Sequence, residues 1–129
     1  MAQDAAAVQE QSSLLQNCCV AFAALILLLY LDGQVEELRQ AQQSALVAFV
    51  LNSAPNLFSA ALVPLGFVLF VDRAELSISA VGYGLGLLFY ECLQLFIAWA
   101  VFDWWDLIAT LMGTLLSLVF IRIFKTRIV

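Results

Sequence analysis

The chain has 129 residues, 64% of them hydrophobic, and a mean hydropathy of +1.00. A soluble domain of this size cannot bury so much apolar surface, so the composition excludes a soluble globular protein and predicts one compact membrane domain. Ten acidic residues against five basic ones give a net charge of −5, which argues against nucleic acid as a partner because phosphate binding needs clustered Lys and Arg.

Residues 1–13 are small and polar and read as a tail, either frayed or leading into a surface helix. The first apolar run, about Leu14 to Leu31, is preceded by Asp4 and Glu10 without any Lys or Arg, and no small-x-small site comes after Leu31. That pattern is not a cleavable signal peptide, and the run is expected to stay in the mature protein as a first membrane span. Cys18, Cys19 and Cys92 all lie in apolar runs, where small packing residues are the plain reading. With no histidine in the chain, a classical zinc site is not expected; three acids near one pocket could bind a cation, but no spacing demonstrates a metal site, and no cofactor is expected.

After the first run, Gly33 to Gln43 reads as a polar helix on the membrane surface. Ala45 to Leu51 is apolar but too short to span, and Asn52-Ser53-Ala54-Pro55-Asn56 is expected to break it from the second span. A re-entrant or interfacial helix is the favoured reading of this piece, with a longer, kinked second span as the alternative. The second span is placed at about Pro55 to Val71, the third at Ile78 to Val101 and the fourth at Trp104 to Phe124, ahead of a basic tail at 125–129. The expected fold is therefore all-α, a polytopic four-helix membrane bundle spanning residues 14–124 with a polar or interfacial helical segment between its first two helices. Arg73, Arg122, Lys125 and Arg127 then fall on one side and Arg39 alone on the other, so the positive-inside rule puts both termini in the cytoplasm of a bacterial inner membrane.

Glu91 lies deep in the third apolar run, and a carboxyl group there costs about 2.5–3.5 kcal/mol to insert, so it calls for a partner, a polar cavity or chemistry. Gln94, three residues on, shares its helix face and can donate to it. Asp103 and Asp106 have a plain explanation as a capping arrangement at the start of the fourth helix. They have a functional one as carboxylates facing Glu91 across a tight turn. Together with Thr110, these residues form the candidate polar pocket, on the outer side of the membrane. Gly82-x-x-x-Gly86 and Gly113-x-x-x-Ser117 offer small surfaces for helix packing, within the chain or between copies. Trp99, Trp104 and Trp105 fall where the third span turns into the fourth and are expected to form an interfacial belt.

The series Glu91-x-x-Gln94-Leu95-Phe96, Phe102-Asp103-x-x-Asp106-Leu107-Ile108 and Gly113 resembles the VanZ-like family of small bacterial membrane proteins. That family's signature has a Glu-x-x-Gln helix, an Asp-x-x-Asp turn, and an Asn and a Gly in the next helix. The matched block, residues 90–113, covers about a quarter of the chain. The chain departs from the signature at Ala100-Val101-Phe102, where the family has Arg before the first Asp. It departs again at Thr110, which stands in the place of Asn. Pro55-Asn56-Leu57-Phe58-Ser59 keeps neither the Lys nor the His of the family's earlier element. The resemblance implies a role at the cell envelope, linked to envelope stress or glycopeptide resistance.

Three functions stand as expectations. The first is a pocket that engages an envelope lipid or a membrane partner. The second is a non-catalytic accessory subunit of a larger complex, or a homo-oligomer, assembled through the Gly82/Gly86 face. The third is an oligomeric ion or proton pathway through Glu91, which has no matching acid in the inner half of the bundle. Paired acids can act as general acid and base, but the chain has no Ser-His or Cys-His pair, phosphate loop or redox motif, and the reading goes against catalysis.

Overall fold

A computed structural model describes residues 2–41, 44–97 and 102–126. The elements are α1 (Ala2–Ala41), α2 (Ala45–Gly66) continuing into a 3₁₀ turn (Phe67–Leu69), α3 (Leu76–Leu93) continuing into a second 3₁₀ turn (Gln94–Phe96), and α4 (Trp104–Thr126). No strand occurs among the described residues. Each of the four helices contains a stretch long and apolar enough to cross a membrane: Gln11–Ala41, Val50–Leu69, Leu76–Phe96 and Trp104–Phe124. The architecture is an all-α four-helix bundle compatible with a multi-pass membrane protein.

Three boundaries differ from the expectation. The third span, expected to run to Val101, ends earlier: its helix closes with the 3₁₀ turn at Phe96 and Ile97 is extended, while 98–101 lie outside the described residues. The polar stretch after Gly33 is no separate surface helix, because α1 runs unbroken to Ala41. At about 1.5 Å per residue its 40 residues extend roughly 60 Å, about twice the hydrocarbon thickness of a bilayer. Both polar ends of α1 can therefore lie beyond the hydrocarbon without interrupting the helix. Nor does the chain break at Asn52–Asn56. Ala45 to Leu51 forms the first turns of α2, which passes through Pro55, so the longer second span is the one found.

The physical reason lies in Arg39. Pro55 has no N–H, which deprives the Leu51 carbonyl of its helical partner four residues on. Arg39 Nη2, from the end of α1, donates to Leu51 O at 3.1 Å and to Asn52 O at 3.3 Å, while Nη1 pairs with Glu36 at 3.3 Å. A cation from the neighbouring helix thus replaces the missing donor.

α2 is the central element. It packs on α1, α3 and α4, whereas α1, among the helical elements described, packs on α2 and the 3₁₀ turn at its end. α2 and α4 approach each other closely at Gly113, where a Cβ would collide with the Leu57 carbonyl and Ala60 Cβ. Gly84 does the same for α3, lying against the Thr114 side chain. Thr114 Oγ1 in turn donates to Thr110 O at 2.8 Å. Ser117 is fully buried on the same inward face of α4. Gly82 and Gly86 are different: among the described residues, a Cβ at either would meet nothing within 4 Å, so neither is a close helix contact there.

The end of the bundle where α2 runs into α3 is tied by polar contacts between elements. Arg73 donates from Nε and Nη2 to Asn17 Oδ1 at 3.1 and 2.6 Å, and its guanidinium lies 5.0 Å from the Phe124 ring centre. Asn17 Nδ2 reaches Val68 O at 3.4 Å. Above this clasp, Ala21, Val68, Leu76, Ala80 and Ile121 form a buried apolar cluster. The opposite end carries Glu91.

Candidate functional site

α3 brings Glu91 to its last turn with the side chain pointing into the bundle, only 3% exposed. Both carboxyl oxygens are held. Gln94 Nε2 donates to Oε2 at 2.7 Å, one helical turn on, and Asn56 Nδ2 donates from α2 to Oε1 at 3.2 Å. The pair of amides offsets part of what a carboxyl group loses on leaving water. One turn further along α2, Ser59 and the Tyr83 hydroxyl share a hydrogen bond of 2.8 Å, a second polar link between α2 and α3.

The start of α4 supplies the remaining residues. Asp103 Oδ1 accepts from the Trp105 N–H at 2.9 Å, and its carbonyl accepts from the Asp106 N–H at 3.2 Å, so Asp103 caps the helix. Asp106 and Thr110, four residues apart, share a face of α4. Asp106 Oδ1 and Thr110 Oγ1 are buried and have no hydrogen-bond partner, and Thr110 is wholly inaccessible. Asp106 and Asp103 both lie within electrostatic reach of Glu91. Among the described residues, no three His, Cys, Asp or Glu side chains converge closely enough to hold a metal ion.

The site residues named from the sequence thus separate by role. Glu91 and Gln94 are bonded to each other, and Asp106 and Thr110 present unpaired oxygens, while Asp103 is occupied as a cap. Trp104 and Trp105 are exposed at this end, with Trp104 edge-on to Phe102 at 5.0 Å between ring centres. Trp99 lies outside the described residues. Asn56 is the member that sequence reasoning misses. Its signal is present in the spacing: Ser53, Asn56 and Ser59 recur every third residue in an otherwise apolar segment, one polar stripe on a helix.

Comparison with known protein families, with curated proteins and with solved structures finds no significant match to this chain.

Proposed function

We propose that this is a VanZ-like protein of the bacterial inner membrane whose polar pocket, formed by Glu91, Gln94, Asn56, Asp106 and Thr110, binds an envelope lipid without turning it over. The observation that carries this reading is the combination of a fully held buried carboxyl group with unpaired buried oxygens on the facing helix. A purely structural cross-link needs the first and gains nothing from the second, because an unpaired buried oxygen costs about 1–3 kcal/mol. A ligand with donors removes that cost. The family resemblance over residues 90–113 supports the envelope assignment. Arg73 and Arg122 sit towards the end opposite Glu91, which by the positive-inside rule turns the pocket outward.

The test is gentle purification from native membranes, with mass spectrometry of the lipids and proteins retained by the wild type and by Glu91→Gln. A specific lipid held by the wild type and lost from the variant is the expected result. Retention of the same lipids in bulk proportion by both would sink the reading.

A second reading has its own observation. Gly82 and Gly86 lie on an outward face of α3 beside the exposed Ile78, Leu85 and Phe89, with no packing partner among the described residues. Small residues on a span's outer face allow close approach of another helix, which favours an accessory subunit or a homo-oligomer. A stoichiometric protein partner retained by both the wild type and Glu91→Gln would select it.

A further inference from the structure

At the Glu91 end, the surface between α2 and α4 opens into a groove of about 630 Å³, walled by Ser53, Leu57, Phe58, Trp105, Ile108 and Met112 among others. That is within the roughly 300–1,000 Å³ of small-molecule sites. The wall is mostly apolar, its polar groups being the Trp105 indole, the Met112 sulfur and Ser53, which is 7% exposed and whose Oγ has no hydrogen-bond partner. Buried hydroxyls are rarely left so, and this one marks where a polar atom of an occupant belongs.

The groove adjoins the polar pocket through the sequence of both its helices. Ser53 stands one turn before Asn56 on α2, and on α4 Trp105 and Ala109 alternate with Asp106 and Thr110. An occupant with a hydrocarbon chain in the groove would carry its headgroup to that edge.

The chemistry of the edge selects the headgroup. Asn56 and Gln94 each donate one amide N–H to Glu91, so each keeps a carbonyl oxygen as an acceptor beside its second N–H. Asp106 Oδ1, Thr110 Oγ1 and Ser53 Oγ add further oxygens without partners. At the same end of the bundle α1 carries Asp32, Glu36 and Glu37, and Asp103 caps α4. The cation of this end among the described residues, Arg39, holds Glu36 and the Leu51 and Asn52 carbonyls and keeps its buried Nε–H without a partner. An anionic headgroup would meet carboxylates there, and a donor-rich cationic group would meet acceptors.

Resting on the lipid-binding reading above, we propose that the α2/α4 groove and its Ser53–Asp106 edge bind a net-neutral phospholipid whose headgroup ends in a primary ammonium. Its acyl chain fills the groove and its N–H donors meet the Asp106 carboxylate.

The test uses the purified full chain in nanodiscs of equal parts ethanolamine-, choline- and glycerol-headgroup phospholipids with identical acyl chains, followed by native mass spectrometry of the lipids that stay bound. The expected result is retention of the ethanolamine lipid over the glycerol lipid by about tenfold, the scale of one good charge-assisted interaction. Choline, which keeps the charge but has no N–H, should also be disfavoured. Asp106→Asn should bring the ethanolamine preference towards unity, and Ser53→Phe, which fills the groove, should lower retention of all three lipids. Selective retention of the glycerol or the choline lipid, or of the choline and ethanolamine lipids alike over the glycerol lipid, overturns the headgroup assignment while leaving a lipid site standing. Retention in the bulk ratio by the wild type overturns both. The wild-type comparison decides the question even where a variant fails to fold.

Discussion

At the scale of single residues, the central feature is a carboxyl group gripped from two elements. Gln94 reaches Glu91 from the same helix, but Asn56 reaches it from α2, so only Asn56 converts the contact into a tie between helices. Interhelical hydrogen bonds in membrane proteins average about 0.6 kcal/mol and reach about 1.7 kcal/mol. Asn56→Ala should therefore lower the unfolding free energy by an amount in that range, measured by titration with SDS in mixed micelles. An unchanged midpoint would mean that Asn56 holds nothing. Glu91 and Gln94 are legible in the sequence because helical spacing alone places them on one face. Their partner is not, because Asn56 lies 35 residues away and only the bundle's packing brings it near.

At the scale of elements, the contacts that fix helix spacing come from two glycines, and their neighbours tell them apart from the rest. Gly113 meets backbone of α2, which cannot swing aside, so Gly113→Ala should cost about 1–3 kcal/mol as overpacking, read in the same titration. Gly86→Ala, with open space around it, should leave the monomer's stability unchanged. Equal losses at the two positions would contradict the packing described. The small-residue pattern in the sequence identifies glycines as candidates without showing which face inward. Gly84 does so, while Gly82 and Gly86 do not.

The passage of α2 through Pro55 is hidden from the sequence for a related reason. Local sequence signals a helix break at proline, and the donor that prevents it sits on another helix. Arg39→Ala should speed hydrogen exchange of the amides at 47–52, and adding Pro55→Ala should restore protection, since alanine returns the missing N–H to the Leu51 carbonyl. Failure of that rescue would show that Arg39 acts by some route other than replacing the proline's donor.

At the scale of the whole molecule, the polar groups gather at the two ends and the middle is mostly apolar. The Arg73–Asn17–Phe124 clasp closes one end, and the Glu91 pocket with its groove occupies the other. Four spans, the all-helical class and the limits of the fourth helix can be read directly from runs of apolar residues, because a bilayer imposes length and hydrophobicity on any helix that crosses it. The α2/α4 groove cannot be read that way. It depends on the angle and spacing of two helices, set by Gly113 and by side chains distant in sequence.

Photo-crosslinking in native membranes, with phospholipids carrying a diazirine in the acyl chain and the labelled peptides mapped by mass spectrometry, tests most directly whether the Glu91 end is a working lipid site. Labelling concentrated at residues 50–58 and 105–112, and reduced there in Glu91→Gln, is the result predicted. Labelling spread evenly over the exposed apolar faces of all four helices, unchanged by the substitution, would contradict it.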